Sequence, residues 1–95
     1  MFRKRHEKRV REYTALVNKV LPAGACLVSF EYFPKLFEDD FKIEIAHNGS
    51  VHIFCSVKGW IYHNDELICD SGYHYLEKES TLGKILKVIK QTLTI

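Results

Sequence analysis

Residues 41–57 read FKIEIAHNGSVHIFCSV, and this stretch decides the fold. Apolar and polar residues alternate along residues 41–46 and again along residues 51–57, and Asn48-Gly49 lies between the two runs. Asn-Gly between alternating runs is the strongest short-range signal of a β-hairpin, because both residues tolerate a positive φ. The sequence therefore predicts two antiparallel strands joined by a tight turn.

A strand-like segment precedes this hairpin. Residues 25–33 are rich in β-formers and carry apolar groups on both faces, which predicts a strand in the centre of a sheet. Under strict alternation, one face holds Cys26, Val28, Phe30 and Tyr32, and the other holds Leu27, Ser29, Glu31 and Phe33.

Weaker strand signals follow the hairpin. Gly59 breaks or bulges the chain before the strand-like residues 60–63, and Asn64-Asp65 can turn it toward residues 66–69. A fourth strand is therefore predicted and a fifth stays open. Residues 73–79 fit either an edge strand or a loop.

Apolar stripes at helical spacing mark both ends of the chain. The first stripe consists of His6, Val10, Tyr13, Val17 and Val20. It ends before Pro22 and Gly24, which stop a helix. The second stripe consists of Leu82, Ile85, Leu86, Ile89 and Leu93. Ser80 is the predicted N-cap of this second helix.

These elements predict an α+β fold in the order α-β-β-β-(β)-α. The expected architecture is an antiparallel sheet of three to five strands with the N- and C-terminal helices packed on one face. The chain has 95 residues, 46% of them hydrophobic and 27% charged, which corresponds to a single domain spanning residues 1–95. Residues 1–5 are expected to form a frayed basic terminus.

Charge is segregated along the chain. Residues 1–20 carry seven Lys/Arg and two Glu (net +5), residues 21–80 carry four Lys and ten Asp/Glu (net −6), and residues 81–95 carry three Lys (net +3). An uneven field steers and orients encounters with a partner. The distribution therefore favours binding to a macromolecule over enclosing a small substrate.

Catalysis and metal binding receive little support from the sequence. The common nucleotide, hydrolase and metalloprotease motifs are absent, so no catalytic residue, cofactor or metal is assigned and the chain is not expected to be an enzyme. A small hydrolase or nuclease is the enzyme alternative, and it would combine a histidine with a carboxylate. Its candidates are His52, His63 and His74 with Glu44, Asp65 and Asp70.

Two histidine and cysteine sets contain zinc-competent atoms but lack paired ligand spacing. They are His47, His52 and Cys55, and His63, Cys69 and His74. His52 and Cys55 should point to opposite faces of their strand, which argues against a shared ion.

The sequence predicts a cytoplasmic protein without a membrane span. No apolar run of signal-peptide length follows the basic residues 3–9, and no stretch approaches the length of a spanning helix. Cys26, Cys55 and Cys69 are odd in number and lie in strand-like segments, which favours reduced, buried thiols.

An aromatic and acidic surface is the predicted site for a protein partner. A proline-containing apolar loop directly precedes three acidic residues, and aromatic residues follow near the expected sheet edge. The candidate residues are Phe33, Leu36, Phe37, Glu38, Asp39, Asp40, Trp60, Tyr62, Tyr73 and Tyr75. Val88 and Ile95 lie off the main stripe of the last helix, where they would seal a homodimer or touch the first helix.

Nucleic-acid binding through the basic helix faces is the alternative, since such faces can span successive phosphates. The candidate residues are Lys4, Lys8, Arg11, Lys84, Lys87 and Lys90. The order of elements resembles that of double-stranded RNA-binding domains, which implies phosphate recognition by a lysine cluster opening the final helix. The matching residues 77–84 carry two Glu instead of that cluster.

The sequence therefore favours a small non-catalytic protein-binding module. Its size and dipolar charge suit an inhibitor or regulator of a larger protein, of the immunity, antitoxin or phage anti-defence type.

Overall fold

The computed structural model describes residues 2–36, 38–68 and 80–94. Two helices flank five strands in chain order. The elements are α1 (Phe2–Val20), β1 (Cys26–Phe33), β2 (Asp40–His47), β3 (Ser50–Val57), β4 (Trp60–His63), β5 (Glu66–Leu67) and α2 (Thr81–Leu93). The predicted α+β class and element order are confirmed, with a fifth strand of two residues.

The strands form one antiparallel sheet in the order β1-β2-β3-β4-β5. Two-residue turns join β2 to β3, β3 to β4 and β4 to β5, and all six turn residues have positive φ. They are Asn48 (52°), Gly49 (78°), Lys58 (52°), Gly59 (84°), Asn64 (49°) and Asp65 (67°). Such turns match the right-handed twist of the strands they join. Gly59 therefore occupies a hairpin turn between two strands.

The first of these turns decides which side chains of β3 face the core. It pairs Ile45 with His52 and Ile43 with Phe54. Directly opposed residues in a ladder share a face, so the aliphatic residues of β2 lie beside the even-numbered residues of β3. The odd-numbered apolar residues of β3 are thereby turned to the other side of the sheet.

Both helices cover the same face of the sheet, which we call the inner face. Helix α1 lies over β1, α2 lies over β2, β3 and β4, and the helices contact each other. The core between these layers consists of Val17, Tyr32, Phe41, Ile43, Ile45, Phe54, Ile61, Leu82, Ile85, Val88, Ile89 and Leu93. The two predicted helical stripes supply much of this core.

The predicted helix ends are confirmed. Helix α1 ends at Val20, two residues before Pro22. Ser80 caps α2, because its Oγ accepts a hydrogen bond from the backbone N–H of Gly83 at 3.1 Å. Residues 2–5 belong to α1, and the fraying expected there stays a prediction.

Strand β1 differs from its prediction in two respects. It is an edge strand with β2 as its neighbour in the described sheet, so the expected central position is wrong. A bulge between Leu27 and Ser29 also breaks the strict alternation. The one extra residue at the bulge reverses the direction of the side chains that precede it. Leu27 therefore points to the inner face and Cys26 to the opposite face.

Two further expectations are corrected or lie elsewhere. Val88 is buried in the core, so its side chain is not available to a homodimer, which was one of the two roles expected from its position in the helix. Cys26 is exposed and Cys55 half-buried, in contrast to the expected buried thiols. The predictions for residues 73–79, Cys69 and Ile95 fall outside the described residues.

Candidate functional site

The face of the sheet opposite the helices, here called the outer face, is uncovered by any described element. Its two halves differ in chemistry. Strands β1 and β2 present Glu31, Lys42 and Glu44, which is the polar surface expected of a solvated antiparallel sheet. Glu31 lies directly opposite Lys42, so opposite charges face each other across these strands.

Strands β3, β4 and β5 present an apolar surface instead. We call this surface the apolar patch, and it consists of Val51, Ile53, Cys55, Val57, Trp60, Tyr62 and Leu67. Five of these side chains remain between 36% and 54% exposed, and Cys55 and Tyr62 are half-buried. So many large apolar side chains on one open face exceed the scattered exposure that is normal for a monomer surface.

The strand register makes the apolar patch continuous. Cys55 of β3 lies opposite Tyr62 of β4, and Tyr62 lies opposite Leu67 of β5. Two residue pairs further along the ladder, and on the same face, Val57 lies opposite Trp60. Opposed side chains in adjacent strands have Cβ atoms about 4.5–5.5 Å apart, so these residues share one surface.

The polar side chains of His52 and Ser56, on β3, lie on the inner face, and each has a hydrogen-bond partner there. Ser56 is buried, and its Oγ accepts a hydrogen bond from the Phe41 backbone N–H at 2.8 Å. Nδ1 of His52 lies 2.9 Å from Nε2 of His63, and the two rings are 9° from coplanar. These bonds offset the desolvation that the polar side chains suffer.

The histidine pair is further shaped by Phe54. The rings of Phe54 and His63 stack with centroids 4.6 Å apart and planes 18° apart. Burial lowers the pKa of His63, the nearby His52 lowers it further, and Glu66 opposes the shift. His63 is thus held toward its neutral form. In that form a single N–H on one of the two facing nitrogens can donate to the lone pair of the other.

Of the residues considered for an enzyme site, the structure brings His52 and His63 together, and Asp65 lies exposed in the turn between β4 and β5. Glu44 lies on the outer face, whereas His52 and His63 lie on the inner face. His74 and Asp70 fall outside the described residues. Among the residues that the structure describes, no group of three histidine, cysteine or acidic side chains is arranged to hold a metal ion. His52 and Cys55 point to opposite faces, as predicted.

The aromatic residues predicted to bind a protein are partly brought together. Trp60 and Tyr62 belong to the apolar patch, and Phe33 lies exposed at the β1 end of the outer face. Leu36 is 90% exposed, in the loop before β2. Phe37, Tyr73 and Tyr75 lie outside the described residues.

The predicted acidic residues Glu38 and Asp40 have polar partners in the turn after β3 and in α2. The Asp40 carboxylate is 9% exposed and accepts hydrogen bonds from the backbone N–H groups of Lys58 at 3.2 Å and Gly59 at 3.4 Å. Glu38 accepts a hydrogen bond from Thr81 Oγ1 at 2.7 Å and lies 3.9 Å from Lys84 Nζ. These contacts tie the loop before β2 to the β3–β4 turn and to α2.

Asp39 completes a chain of hydrogen bonds that joins α1, β1 and the same loop. Arg9 donates to the Tyr32 hydroxyl at 3.2 Å, Tyr32 donates to Asp39 at 3.1 Å, and Asp39 also accepts from the Lys35 backbone N–H at 3.1 Å. Burial raises the pKa of Tyr32, against the lowering effect of Arg9, and Asp39 adds to the rise. All three predicted acidic residues therefore have partners within the chain, which favours the apolar patch as the candidate site.

The predicted basic residues lie on the helices, on the side of the sheet away from the patch. Lys4, Lys8 and Arg11 are exposed on α1, as the helical pattern predicts. Lys8 approaches Glu12 at 3.9 Å. On α2, Lys87 and Lys90 are exposed, whereas Lys84 is half-buried beside Glu38.

Sequence reasoning missed five members of the apolar patch, Val51, Ile53, Cys55, Val57 and Leu67. The signal was present in the turn. A two-residue loop pairs His47 with Ser50, so odd-numbered residues of β2 must oppose even-numbered residues of β3. Once β2 buries its aliphatic residues, the aliphatic residues of β3 must face outward.

Comparison of the chain with protein-family models, with curated proteins and with solved structures finds no match. Neither of the two described helices has the length and apolar character required to cross a membrane. The functional inference therefore rests on the geometry and chemistry of the chain itself.

Proposed function

We propose that this chain is a small non-catalytic protein-binding module that docks on a larger protein through the apolar patch. The observation that carries the proposal is the continuous row of large apolar side chains on a sheet face that no described element covers. An exposed apolar surface of this kind, bordered by polar residues, is typical of protein interaction sites.

The composition of the surface supports this proposal. Trp60 and Tyr62 belong to the residue types that dominate binding hot spots, and aliphatic side chains surround them. Lys42 and Glu44 border the patch on β2 and supply the polar rim that a non-obligate interface usually has. The matching partner surface is apolar at its centre, with charged groups opposite this rim.

Under this proposal the chain inhibits or regulates its partner, as an immunity protein, an antitoxin or a phage anti-defence protein does. The segregated charge supports such a role, because it orients the encounter before the apolar surfaces meet. The proposal places the protein in the cytoplasm, where a reducing environment keeps the free thiols of Cys26 and Cys55 reduced.

The test is an affinity capture from nuclease-treated native lysate with the tagged full chain. The double variant Ile53→Glu/Val57→Glu places two charges in the patch without touching the core. Leu16→Glu is the matched control, because Leu16 is an exposed apolar residue on α1. Circular dichroism and urea unfolding establish that each variant is folded.

We expect one dominant, nuclease-resistant protein that wild type and Leu16→Glu retain equally. The double variant should retain at least tenfold less, and the purified pair should reproduce this difference in affinity. Equal retention by the double variant would exclude the patch as the binding site. Recovery of nucleic acid instead of a protein would favour the alternative function.

That alternative is nucleic-acid binding, and one observation favours it. Both helices lie on the inner side of the sheet and contact each other, so the basic residues of α1 and α2 belong to the same side of the molecule. It predicts binding that weakens steeply with salt and is lost when Lys4, Lys8 and Arg11 are all changed to Gln. Salt-insensitive binding, or binding retained by this triple variant, would exclude it.

A further inference from the structure

We infer that the free edge of β1 binds an extended acidic peptide, which adds to the sheet as a sixth strand beside α1. This inference goes beyond the proposed function, because it concerns a different surface and a different ligand chemistry. Three observations carry it: an edge that no described strand pairs with, a depression next to it, and the charge of the helix above it.

The edge of β1 offers main-chain hydrogen-bonding groups. In the described sheet β1 has β2 as its neighbour, so alternate N–H and C=O groups on its other side point away from the sheet. Beyond the bulge, residues 29–33 pair regularly with residues 40–44. The strand contains no proline or lysine, the residues that commonly block an exposed edge. Five regular residues therefore form a template for an added strand.

A depression between α1 and β1 opens beside this edge. It is lined by His6, Glu7, Val10, Arg11 and Phe30. Its described lining comes from α1 and β1. Tyr13 of α1 packs against Phe41 of β2, and Glu7 and Arg11 lie on the other flank of the helix, so the depression lies toward the free side of β1. Val10 and Phe30 are half-buried and supply its apolar surface. Alternate side chains of an added strand point toward the helix side, where one apolar side chain can enter this depression.

The charge of α1 selects an acidic ligand. Residues 2–20 carry seven Lys/Arg and two Glu. Arg11 is exposed at the rim of the depression, and Lys4 and Lys8 are exposed on the same helix. The cationic side chains outweigh Glu7 and therefore favour carboxylates on the peptide. Nucleic acid would satisfy this charge but lacks the alternating N–H and C=O groups that pair with a strand edge, which favours a peptide.

The test begins with a phage-displayed library of random linear ten-residue peptides, selected on the full chain. We expect enriched peptides in which acidic residues alternate with apolar ones. Arg11→Glu should weaken binding of the synthesised peptide at least tenfold. Lys19→Glu is the matched control on the same helix and should leave binding within twofold of wild type, because Lys19 is exposed near the C-terminal end of α1, away from the depression.

Two measurements distinguish strand addition from simple charge attraction. The selected peptide is resynthesised with N-methyl groups on alternate residues, once in each of the two phases. Only the phase that removes the donors facing β1 should abolish binding. Hydrogen exchange should slow at residues 29–33 when the peptide binds, and residues 51–57 should be unchanged.

Several results would overturn the inference. In the selection, the absence of enriched acidic peptides would overturn it, and so would equal weakening of peptide binding by Arg11→Glu and Lys19→Glu. In the strand-addition tests, it would be overturned by equal loss of binding in both N-methyl phases, or by slowed hydrogen exchange confined to residues 51–57. Self-association of the chain in sedimentation equilibrium, with protection of residues 29–33 in the dimer, would assign the edge to a second copy and would equally overturn it.

Discussion

Strands β2 and β3 face each other across one turn, yet they divide their residues between the two faces in opposite ways. Strand β2 buries Phe41, Ile43 and Ile45 and directs Lys42 and Glu44 outward. Strand β3 directs its aliphatic residues outward and places a histidine, a phenylalanine and a serine inside. Apolar alternation alone therefore identifies a strand, whereas the register with its neighbour decides which face is buried.

The largest difference between the two strands should appear in stability. Ile43→Ala on β2 removes a fully buried side chain, so we expect a loss of about 2–5 kcal/mol in the free energy of unfolding. Ile53→Ala on β3 should cost only about 0.5–1 kcal/mol, because Ile53 is already exposed. Urea unfolding of both variants measures the two losses, and equal losses would contradict this division of the faces.

Removal of the Asp40 carboxylate, at the start of β2, should cause the next largest loss in the free energy of unfolding. Asp40→Ala leaves the backbone N–H groups of Lys58 and Gly59 without their acceptor, and we expect a loss of about 1–3 kcal/mol. Asp40→Asn keeps one oxygen acceptor and should lose less. The measurement is urea unfolding of the three proteins at one pH. An alanine variant as stable as wild type would show that the turn after β3 does not depend on Asp40.

The turn that sets the register should tolerate only some residues. Gly49 has φ 78°, and a Cβ placed there meets no atom within 4 Å, so the cost of a side chain is conformational. We expect Gly49→Ala to lose about 1 kcal/mol, because an L-residue with a Cβ resists the left-handed region. Gly49→Asn should lose less, since asparagine tolerates that region. Thermal unfolding of both variants tests this order, and the reverse order would contradict it.

The smallest expected effect is a change in pH dependence caused by the inner histidines of β3 and β4. The pKa of His63 is lowered from 6.5, so the unfolded chain binds more protons than the folded protein as the pH falls through that value. The contribution of neutral His63 to the free energy of unfolding is therefore fully present above pH 6.5 and decreases as the pH falls below it. Wild type should therefore lose more stability between pH 7.5 and 5.5 than His63→Gln does.

His6→Gln is the control for that comparison, because His6 lies on α1, outside the pair. Urea unfolding at both pH values gives the difference for each protein. If His63→Gln and wild type lose the same stability over this interval, His63 does not titrate as its burial and its contact with His52 require.

Much of the fold could be predicted from residues close together in sequence. The Asn48-Gly49 turn, the Ser80 cap and the end of α1 before Pro22 all depend on local backbone preferences. The outer position of Val51 and Ile53 also follows from the two-residue turn, once β2 is known to bury its aliphatic residues.

The features that separate the apolar patch from the rest of the surface could not be predicted in this way. The bulge in β1 leaves no distinct signal in residues 26–33, and it moves Cys26 to the outer face. Asp40 was expected at a binding surface. Its carboxylate instead accepts hydrogen bonds from the backbone of Lys58 and Gly59, which lie 18 and 19 residues later in the chain. Such contacts depend on the path of the whole chain, which a local pattern does not contain.

Local sequence thus determines the element types, the turns and the α+β class of this protein, because φ preferences and apolar spacing act within a few residues. Tertiary structure decides that β1 is an edge of the described sheet, that the acidic loop bonds to its own chain, and that no described element covers the aliphatic face of β3. Those features depend on long-range pairing and on which surfaces the two helices bury, and these emerge only when all elements pack together.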